Sequence, residues 1–293
     1  MKQIKRTFII LLSWCFLLGL CIPLQGQPLE PVNTEKVTET VFCISGPGGN
    51  IGVLTLEKGS LVVDAKYSKT APEVLKEIKK LSPGPILYLI NTHYHGDHTD
   101  GNPIIGAGAI IVSHSQCKSS LLRRLTEGES PDTIGAPQMT YSEKMTLHFE
   151  NETVHLFHFG PAHTAGDTVV VFEKARVVHT GDLFFHNLPP FIDVEDGSDT
   201  GNWVKTIRKL ATDYGDYKVI PGHGPVSDMK EFLKFGDYLH YLRQEVSKAI
   251  KEGKSATETV DSIDVGRFSY LKDKGEFLTK KNNISWIYAE MSR

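Results

Sequence analysis

A short histidine-rich motif at residues 92–98 constrains this chain more than any other feature of its sequence. The motif reads Thr-His-Tyr-His-Gly-Asp-His and follows the apolar segment 86–90 directly. In an extended chain the side chains of His93 and His95 project to the same side, so both imidazoles can bind one cation. Surface histidines on a loop are the less favoured interpretation, because this pattern rarely arises by chance. The motif therefore predicts a metal site where the strand ends.

The second half of the motif predicts another cation position beside the first. Gly96 permits a sharp turn in the backbone. After that turn, Asp97 can offer a carboxylate oxygen and His98 an imidazole nitrogen, which are ligand types that suit divalent metals.

Three glycine-rich turns farther along the chain also follow apolar segments, and each carries one potential ligand. A fold can gather such turns along one edge of its sheets. Each turn is a weak signal alone, but together with the motif they predict one cluster. Its candidate ligands are His93, His95, Asp97, His98, His163, Asp182 and His223.

Short apolar segments alternate with amphipathic ones after residue 27, which predicts an α/β domain. Strands are expected at 41–45, 52–56, 60–63, 86–90, 110–112, 146–149, 154–159, 168–172, 177–179 and 218–220. Helices are expected between Thr70 and Pro83, at 202–210, and from Ser227 to about Gly253. The last thirty residues show no clear pattern.

From about residue 42 to residue 224, the ligand pattern resembles that of the metallo-β-lactamase superfamily. The resemblance implies an αββα sandwich, with two mixed β-sheets face to face, helices outside, and an active site along one edge. It also implies a binuclear zinc hydrolase with two Zn²⁺ per chain. Carried over by position, the first zinc would be bound by His93, His95 and His163, the second by Asp97, His98 and His223, and Asp182 would bridge them.

The residue at the bridging position separates branches of this family. Asp182 stands where some lactamases carry Cys or Ser. An Asp at this position resembles the pattern of glyoxalase II and of lactonases. Family lactonases place Tyr three residues later, where this chain has Phe185. Residues 183–187 also contain no Lys, whereas some lactamases bind a substrate carboxylate through one in this region. We therefore expect recognition through metal and apolar contact, without a dedicated cation for a carboxylate.

The chemistry implied is attack by a metal-bound hydroxide on a cyclic amide or ester carbonyl, with Asp97 orienting the hydroxide and accepting its proton. Opening of a β-lactam ring is the leading interpretation. Hydrolysis of a lactone, thioester or other ester is the alternative within the same family. A mononuclear non-heme iron oxygenase and a metal-binding protein without turnover are further alternatives.

Several other residues receive predictions of their own. Phe185 and His186 lie in an apolar segment that could form a pocket wall, and residues 46–50 could form a mobile flap or a plain hairpin turn. Candidates for orienting the ligands, or for ordinary turn capping, are Asn91, Thr92, Thr164 and Thr180. Ordinary structural positions are favoured for His114, His148, His155, His158, His179 and His240, with an orienting role as the alternative for His179.

The first 26 residues predict a secretory signal. Three positive charges precede an apolar run of about thirteen residues, which is shorter than a membrane span. We expect cleavage near Gly26, a hydrolase domain over residues 27–293 in the periplasm or outside the cell, and no stable membrane insertion. Acylation of Cys21 is the less favoured alternative.

Charge and composition restrict the partners of the chain. Without residues 1–26 it would have 29 Lys and Arg against 35 Asp and Glu, a net charge of −6. A negative balance disfavours nucleic acid, so the expected partner is a small-molecule substrate. Oligomeric state stays open.

Overall fold

Two mixed β-sheets form the centre of this computed structural model, which describes residues 31–293. The first sheet holds seven strands whose spatial order follows the chain. They are β1 (Asn33–Lys36), β2 (Val41–Ser45), β3 (Ile51–Leu56), β4 (Gly59–Val63), β5 (Ile86–Ile90), β6 (Ile110–His114) and β7 (Met139–Tyr141). Strands β1 to β4 are antiparallel, whereas β4 to β7 are parallel.

The second sheet holds six strands. They are β8 (Lys144–His148), β9 (Thr153–Phe157), β10 (Val169–Phe172), β11 (Val177–His179), β12 (Lys218–Ile220) and β13 (Ser227–Asp228). Their order is β13-β12-β11-β10-β9-β8, and β11 and β12 form its parallel pair. The predicted strands are therefore present, with ends that differ by a few residues.

Helices cover the outer faces of both sheets. They are α1 (Ala71–Leu81), α2 (Gly96–Thr99), α3 (Asn102–Ile105), α4 (Ser115–Thr126), α5 (Pro131–Ile134), α6 (Thr200–Asp213), α7 (Met229–Lys251), α8 (Ala256–Ser262) and α9 (Lys280–Met291). The apolar face of α1 packs on the first sheet through Val74 and Ile78. Helices α6 and α7 pack on the second sheet through residues such as Trp203, Phe232 and Leu239. This arrangement confirms the predicted αββα sandwich.

The inner faces of the sheets share one apolar core. Leu61, Val63 and Ile90 of the first sheet pack with Val170 and Phe172 of the second. Because the two sheets are fixed face to face, turns that leave neighbouring strands meet along the same edge. The loops after β5, β9, β11 and β12, which carry the predicted ligands, are all at such strand ends.

Several elements of the first half were not predicted, among them β1 and α4. All four residues of β1 are exposed, and the strand is held by its ladder to β2. Helix α4 buries only Cys117, Ser120 and Leu121. Strand β1 therefore owes its conformation to its partner strand, whereas α4 has a short apolar face formed by Cys117, Leu121 and Leu125.

The C-terminal thirty residues form part of the same structure. Helix α9 buries Asn283, Ile284 and Ile287, so a polar side chain interrupts its apolar face. The amide of Asn283 donates to the carbonyl of Pro190 at 2.6 Å and accepts from the hydroxyl of Tyr238 at 2.8 Å. The helix is thereby attached to the segment that follows Asp182.

The predicted signal, its cleavage near Gly26 and the acylation alternative at Cys21 lie outside the described residues. Within residues 31–293, no helix combines the length and the apolar character needed to cross a membrane.

Candidate metal centre

All seven predicted ligands meet at one edge of the sandwich, in two adjoining groups. Within each group the potential ligand atoms lie within 4.8 Å of one another. The first group is His93, His95, His163 and Asp182, and the second is Asp97, His98 and His223. Four loops far apart in sequence supply these side chains.

Three imidazole nitrogens of the first group converge on a common point. Nδ1 of His95 lies 3.0 Å from Nε2 of His93 and 3.1 Å from Nε2 of His163. A tetrahedral ion with bonds of about 2.0–2.1 Å needs its nitrogens roughly 3.3 Å apart. The spacing therefore fits a single bound cation.

Asp182 lies between the two groups. Its Oδ2 is 3.6 Å from Nε2 of His163 in the first group and 3.3 Å from Nε2 of His223 in the second. Its Oδ1 is 3.0 Å from Nε2 of His98. One carboxylate can thus contact cations in both groups.

Two atoms at the centre of the cluster are buried without a hydrogen bond. They are Nε2 of His98 and Oδ1 of Asp182, which lie 3.0 Å apart without the geometry of a hydrogen bond. Buried polar atoms normally have partners, because leaving one unpaired is costly. A bound cation would satisfy both atoms, which supports a metal site made by these residues.

The electrostatics of the cluster also favour a cation. Burial alone would raise the pKa of Asp182, but the imidazoles of His223 and His98 hold it well below its usual range. Burial would lower the pKa of His223, yet the carboxylates of Asp182 and Asp97 raise it to about 9. Ionised carboxylates at this depth need positive charge beside them, which a bound metal would supply.

Asp193 orients His95 and was missed by sequence reasoning. Nε2 of His95 lies 2.9 Å from Oδ2 of Asp193, which also accepts a 2.7 Å hydrogen bond from the Tyr94 hydroxyl. This contact turns Nδ1 of His95 toward the first group. No motif marks Asp193, since it lies 98 residues from His95.

Asp64 has the same role for His98. Its side chain is fully buried at the end of β4. Oδ2 lies 2.7 Å from Nδ1 of His98 and accepts from the hydroxyl of Thr92, whose amide donates to Oδ1. Nε2 of His98 therefore faces the second group, in the manner of carboxylate–histidine–metal arrangements.

We expect Asp64→Ala and Asp193→Ala to weaken different metal positions. Loss of an orienting carboxylate typically costs 10–100-fold in metal affinity. Asp64→Ala should weaken the position next to His98, and Asp193→Ala the position next to His95. Competition titration with a chromophoric chelator measures the metal affinity of each variant. The exposed Asp132→Ala is the control. Wild-type affinities in folded variants would contradict these roles.

Residues 46–50 are tied to the ligand loops. The amide of Gly49 donates to the carbonyl of Asp97 at 3.0 Å. The backbone amide of Asn50 donates to the carbonyl of Gly222 at 2.7 Å. A Cβ at Gly49 would approach the His98 ring to 2.0 Å. The ammonium of Lys66, a fully buried side chain, donates to the carbonyl of Gly49. These contacts favour the hairpin-turn interpretation over a mobile flap.

The two predicted pocket residues lie beside the second group. Phe185 is 1% exposed and its ring stacks on that of His223 at 4.9 Å, so it supports a ligand and offers little area to a substrate. His186 is half-buried, and its Nδ1 lies 2.8 Å from the carbonyl of Pro225. Their contact with a substrate stays a prediction.

One of the four candidate orienting residues touches a ligand. The hydroxyl of Thr92 lies 3.0 Å from Nδ1 of His93. The other three bond elsewhere: Asn91 pairs with Asn102, Thr164 donates to Asp167, and Thr180 donates to backbone carbonyls. Ordinary turn capping therefore describes Thr164 and Thr180.

Four of the remaining histidines, His114, His155, His158 and His179, have structural partners. The rings of His114 and His158 stack 3.7 Å apart, and His155 pairs with Glu173. His179 is buried, and its Nε2 lies 3.2 Å from the carbonyl of Asn50. These placements agree with structural positions outside the cluster.

Sequence comparison decides the family. The profile of the Metallo-beta-lactamase superfamily matches residues 45–114 and 145–223, just over half of the chain. The chain belongs to this superfamily. Its predicted membership is thereby confirmed, and the matched segments contain all seven candidate ligands.

Relatives within the superfamily are distant and differ in activity. The 2,4-dinitroanisole O-demethylase subunit alpha of Nocardioides sp. is 28% identical over 69% of this chain and 60% of its own length, so this chain spans less than two thirds of that relative. Metallo-beta-lactamase IND-1 of Chryseobacterium indologenes is 26% identical over 58% of this chain and 69% of its own.

Solved structures agree in fold. A metallo-beta-lactamase from Pontibacter korlensis superposes with a TM-score of 0.61 at 18% identity, covering 70% of this chain and 99% of its own. The sec-alkyl sulfatase PisA1 gives a TM-score of 0.68 at 14% identity, covering 89% of this chain and 50% of its own. At these identities the likeness shows the fold alone.

Proposed function

We propose that this chain is an exported, zinc-dependent hydrolase with two metal ions, acting on a cyclic amide or ester carbonyl. The observation that carries the proposal is the pair of adjoining ligand groups with Asp182 between them. A single-iron oxygenase would use the first group, and Asp97, His98 and His223 would then have no metal to bind. A metal-binding protein without turnover would use the same ligands, so a hydrolysis assay on metal-loaded protein distinguishes it from the proposed enzyme.

The donor set suits zinc. Imidazole nitrogens and carboxylate oxygens are ordinary zinc ligands, and neither group contains a thiolate. Zinc, when bound, would lower the pKa of a coordinated water toward neutrality and polarise a substrate carbonyl. Export is proposed from residues 1–26 and has no support from the described structure.

Asp97 is the residue that we place in proton transfer. Burial would raise the pKa of its carboxyl, but His98 and His223 lower it to about 2, so it is ionised at neutral pH. Its side chain is 19% exposed and faces Nε2 of His223 at 3.3 Å. A carboxylate that is charged and reachable can orient a water molecule and accept its proton.

Asp182 contributes a negative charge to the same metal centre. The side chain is 4% exposed and lies next to both ligand groups. A single negative charge shared between them lowers repulsion between two cations held close together. This carboxylate is therefore assigned to metal binding alone, whereas Asp97 is assigned both to the second ligand group and to the reaction.

Opening of a β-lactam ring is the leading substrate proposal. It rests on the predicted export and on the relative IND-1, whose name describes a metallo-beta-lactamase. Lactones, thioesters and other esters form the second class. Residues 183–187 are compatible with that class, because they themselves offer no cation to a ring carboxylate.

We expect two zinc ions per chain and hydrolysis that depends on them. Elemental analysis measures the metal content. A panel of penicillins, a carbapenem, acyl lactones and thioesters then identifies the substrate class. A chelator should abolish turnover, and added Zn²⁺ should restore it. Active protein with at most one metal per chain would contradict the two-metal centre.

A further inference from the structure

A short hairpin near the C-terminus reaches the mouth of the metal centre. The backbone amide of Lys274 donates to the carbonyl of Leu278 at 2.9 Å, which closes the hairpin. The amide of Lys272 donates to the carbonyl of Asn187 at 2.8 Å. Residues 274–278, called here the recognition hairpin, are therefore fastened to the segment that follows Asp182.

The Lys274 end of the recognition hairpin lines a cleft that opens onto a ligand. The cleft has a volume of about 320 Å³, and its walls include Leu188, His223 and Lys274. Lys280 pairs with Asp273, whereas Lys274 forms no ion pair with any residue in the range 31–293. A lysine at the cleft that is free of ion pairs within residues 31–293 gives the cleft a local preference for anions.

The other end of the recognition hairpin continues an aromatic surface that starts at the first ligand group. The ring of Phe191 lies 5.4 Å from that of His95 and 5.1 Å from that of Phe277. Trp286 packs against both phenylalanines. Phe277 itself is 56% exposed. Because this surface runs without a break to a candidate ligand, the occupant that fits it is an apolar group of the substrate.

We propose that the recognition hairpin selects substrates that carry both an anionic group, bound by Lys274, and an apolar group, bound on Phe277. This inference rests on the proposed hydrolase function and names its substrate class. It also replaces the expectation that a substrate carboxylate would find no dedicated cation. The cation comes from residue 274, outside residues 183–187.

Matched esters test the charge preference. The two probes are p-nitrophenyl hexanoate and mono-p-nitrophenyl adipate, which differ only by a terminal carboxylate. Lys274→Ala should raise KM for the adipate ester about three- to fivefold, since exposed ion pairs are worth up to about 1 kcal/mol. kcat, and both constants for the hexanoate ester, should stay unchanged. Lys274→Glu should raise KM for the adipate ester further, through repulsion.

Lys272→Ala is the matched control, because its ammonium binds the carbonyl of Ser269 at 2.8 Å and does not line the cleft. It should leave KM unchanged for both esters. Equal effects of Lys274→Ala and Lys272→Ala, or equal effects on both esters, would overturn the role of Lys274. Added salt should weaken the preference for the adipate ester in the native chain.

The proposed binding of an apolar group on Phe277 is tested separately. Phe277→Ala should reduce the preference for p-nitrophenyl hexanoate over p-nitrophenyl acetate about threefold or more, because each buried methylene contributes about 0.8 kcal/mol. Exposed Leu233→Ala on helix α7 is the control. An unchanged chain-length preference would overturn the proposed role of Phe277. So would a loss of self-association in Phe277→Ala, which would assign the surface to a second copy of the chain.

Binding without turnover separates this inference from the proposed function. The probes are the monoanilide of adipic acid and hexananilide, followed through tryptophan fluorescence because Trp286 contacts Phe277. Tighter binding of the anionic anilide, lost in Lys274→Ala, would support the recognition hairpin even if no ester were hydrolysed. Hydrolysis of esters without this preference would overturn the hairpin and leave the hydrolase intact.

Discussion

Asp97→Asn is expected to lower kcat by about a hundred- to ten-thousandfold, the range typical for loss of a general base. The amide cannot accept the proton that the carboxylate of Asp97 accepts, and it is a weaker ligand for the second group. The first group keeps His93, His95 and His163, so metal should still bind there. Steady-state kinetics together with elemental analysis measures the two effects separately.

Asp100→Asn is the matched control for this change. Asp100 lies three residues after Asp97 and pairs with Arg124 at 2.6 Å, outside both ligand groups. This variant should keep its kcat and its metal content. Substantial turnover in Asp97→Asn would remove that carboxylate from the reaction.

Asp182→Ala is expected to act on metal content more than on any single step. Its Oδ1 lies next to His98, and its Oδ2 lies next to His163 and His223. Removing them leaves one ligand fewer for both cations and takes away the negative charge between them. We expect the zinc content to fall from two ions per chain to fewer than one after dialysis, with turnover lost in parallel.

Asp196→Ala controls for the loss of a buried carboxylate. Asp196 is 7% exposed, and its Oδ1 accepts from Ser120 at 2.7 Å and from Arg123 at 2.6 Å. Its removal should affect folding stability without changing zinc content. A full complement of two zinc ions in Asp182→Ala would show that this carboxylate does not bridge the groups.

The sequence alone predicted the seven candidate ligands, and the structure brings them together. Four of them lie within residues 93–98, where local chain geometry limits how far apart they can be. The other three each follow an apolar strand, and strand ends gather at the edge of a sandwich. Helices α1 and α7 were predicted because their apolar residues recur at helical spacing and face the core.

The sequence did not predict the elements that lack such periodicity. Strand β1 exposes every residue, and α9 buries an asparagine within its apolar face. Their stability depends on a ladder to β2 and on hydrogen bonds to Pro190 and Tyr238. No local pattern records contacts of that kind.

Tertiary structure alone decided which residues orient the ligands and which reach the mouth of the site. Asp64 meets His98 across 34 residues of sequence, and Asp193 meets His95 across 98. Lys274 reaches the cleft beside His223 only because the C-terminal segment folds back onto the loop after Asp182. Local spacing determines which side chains can bind a metal, whereas the packing of distant segments determines how those side chains are held and what approaches them.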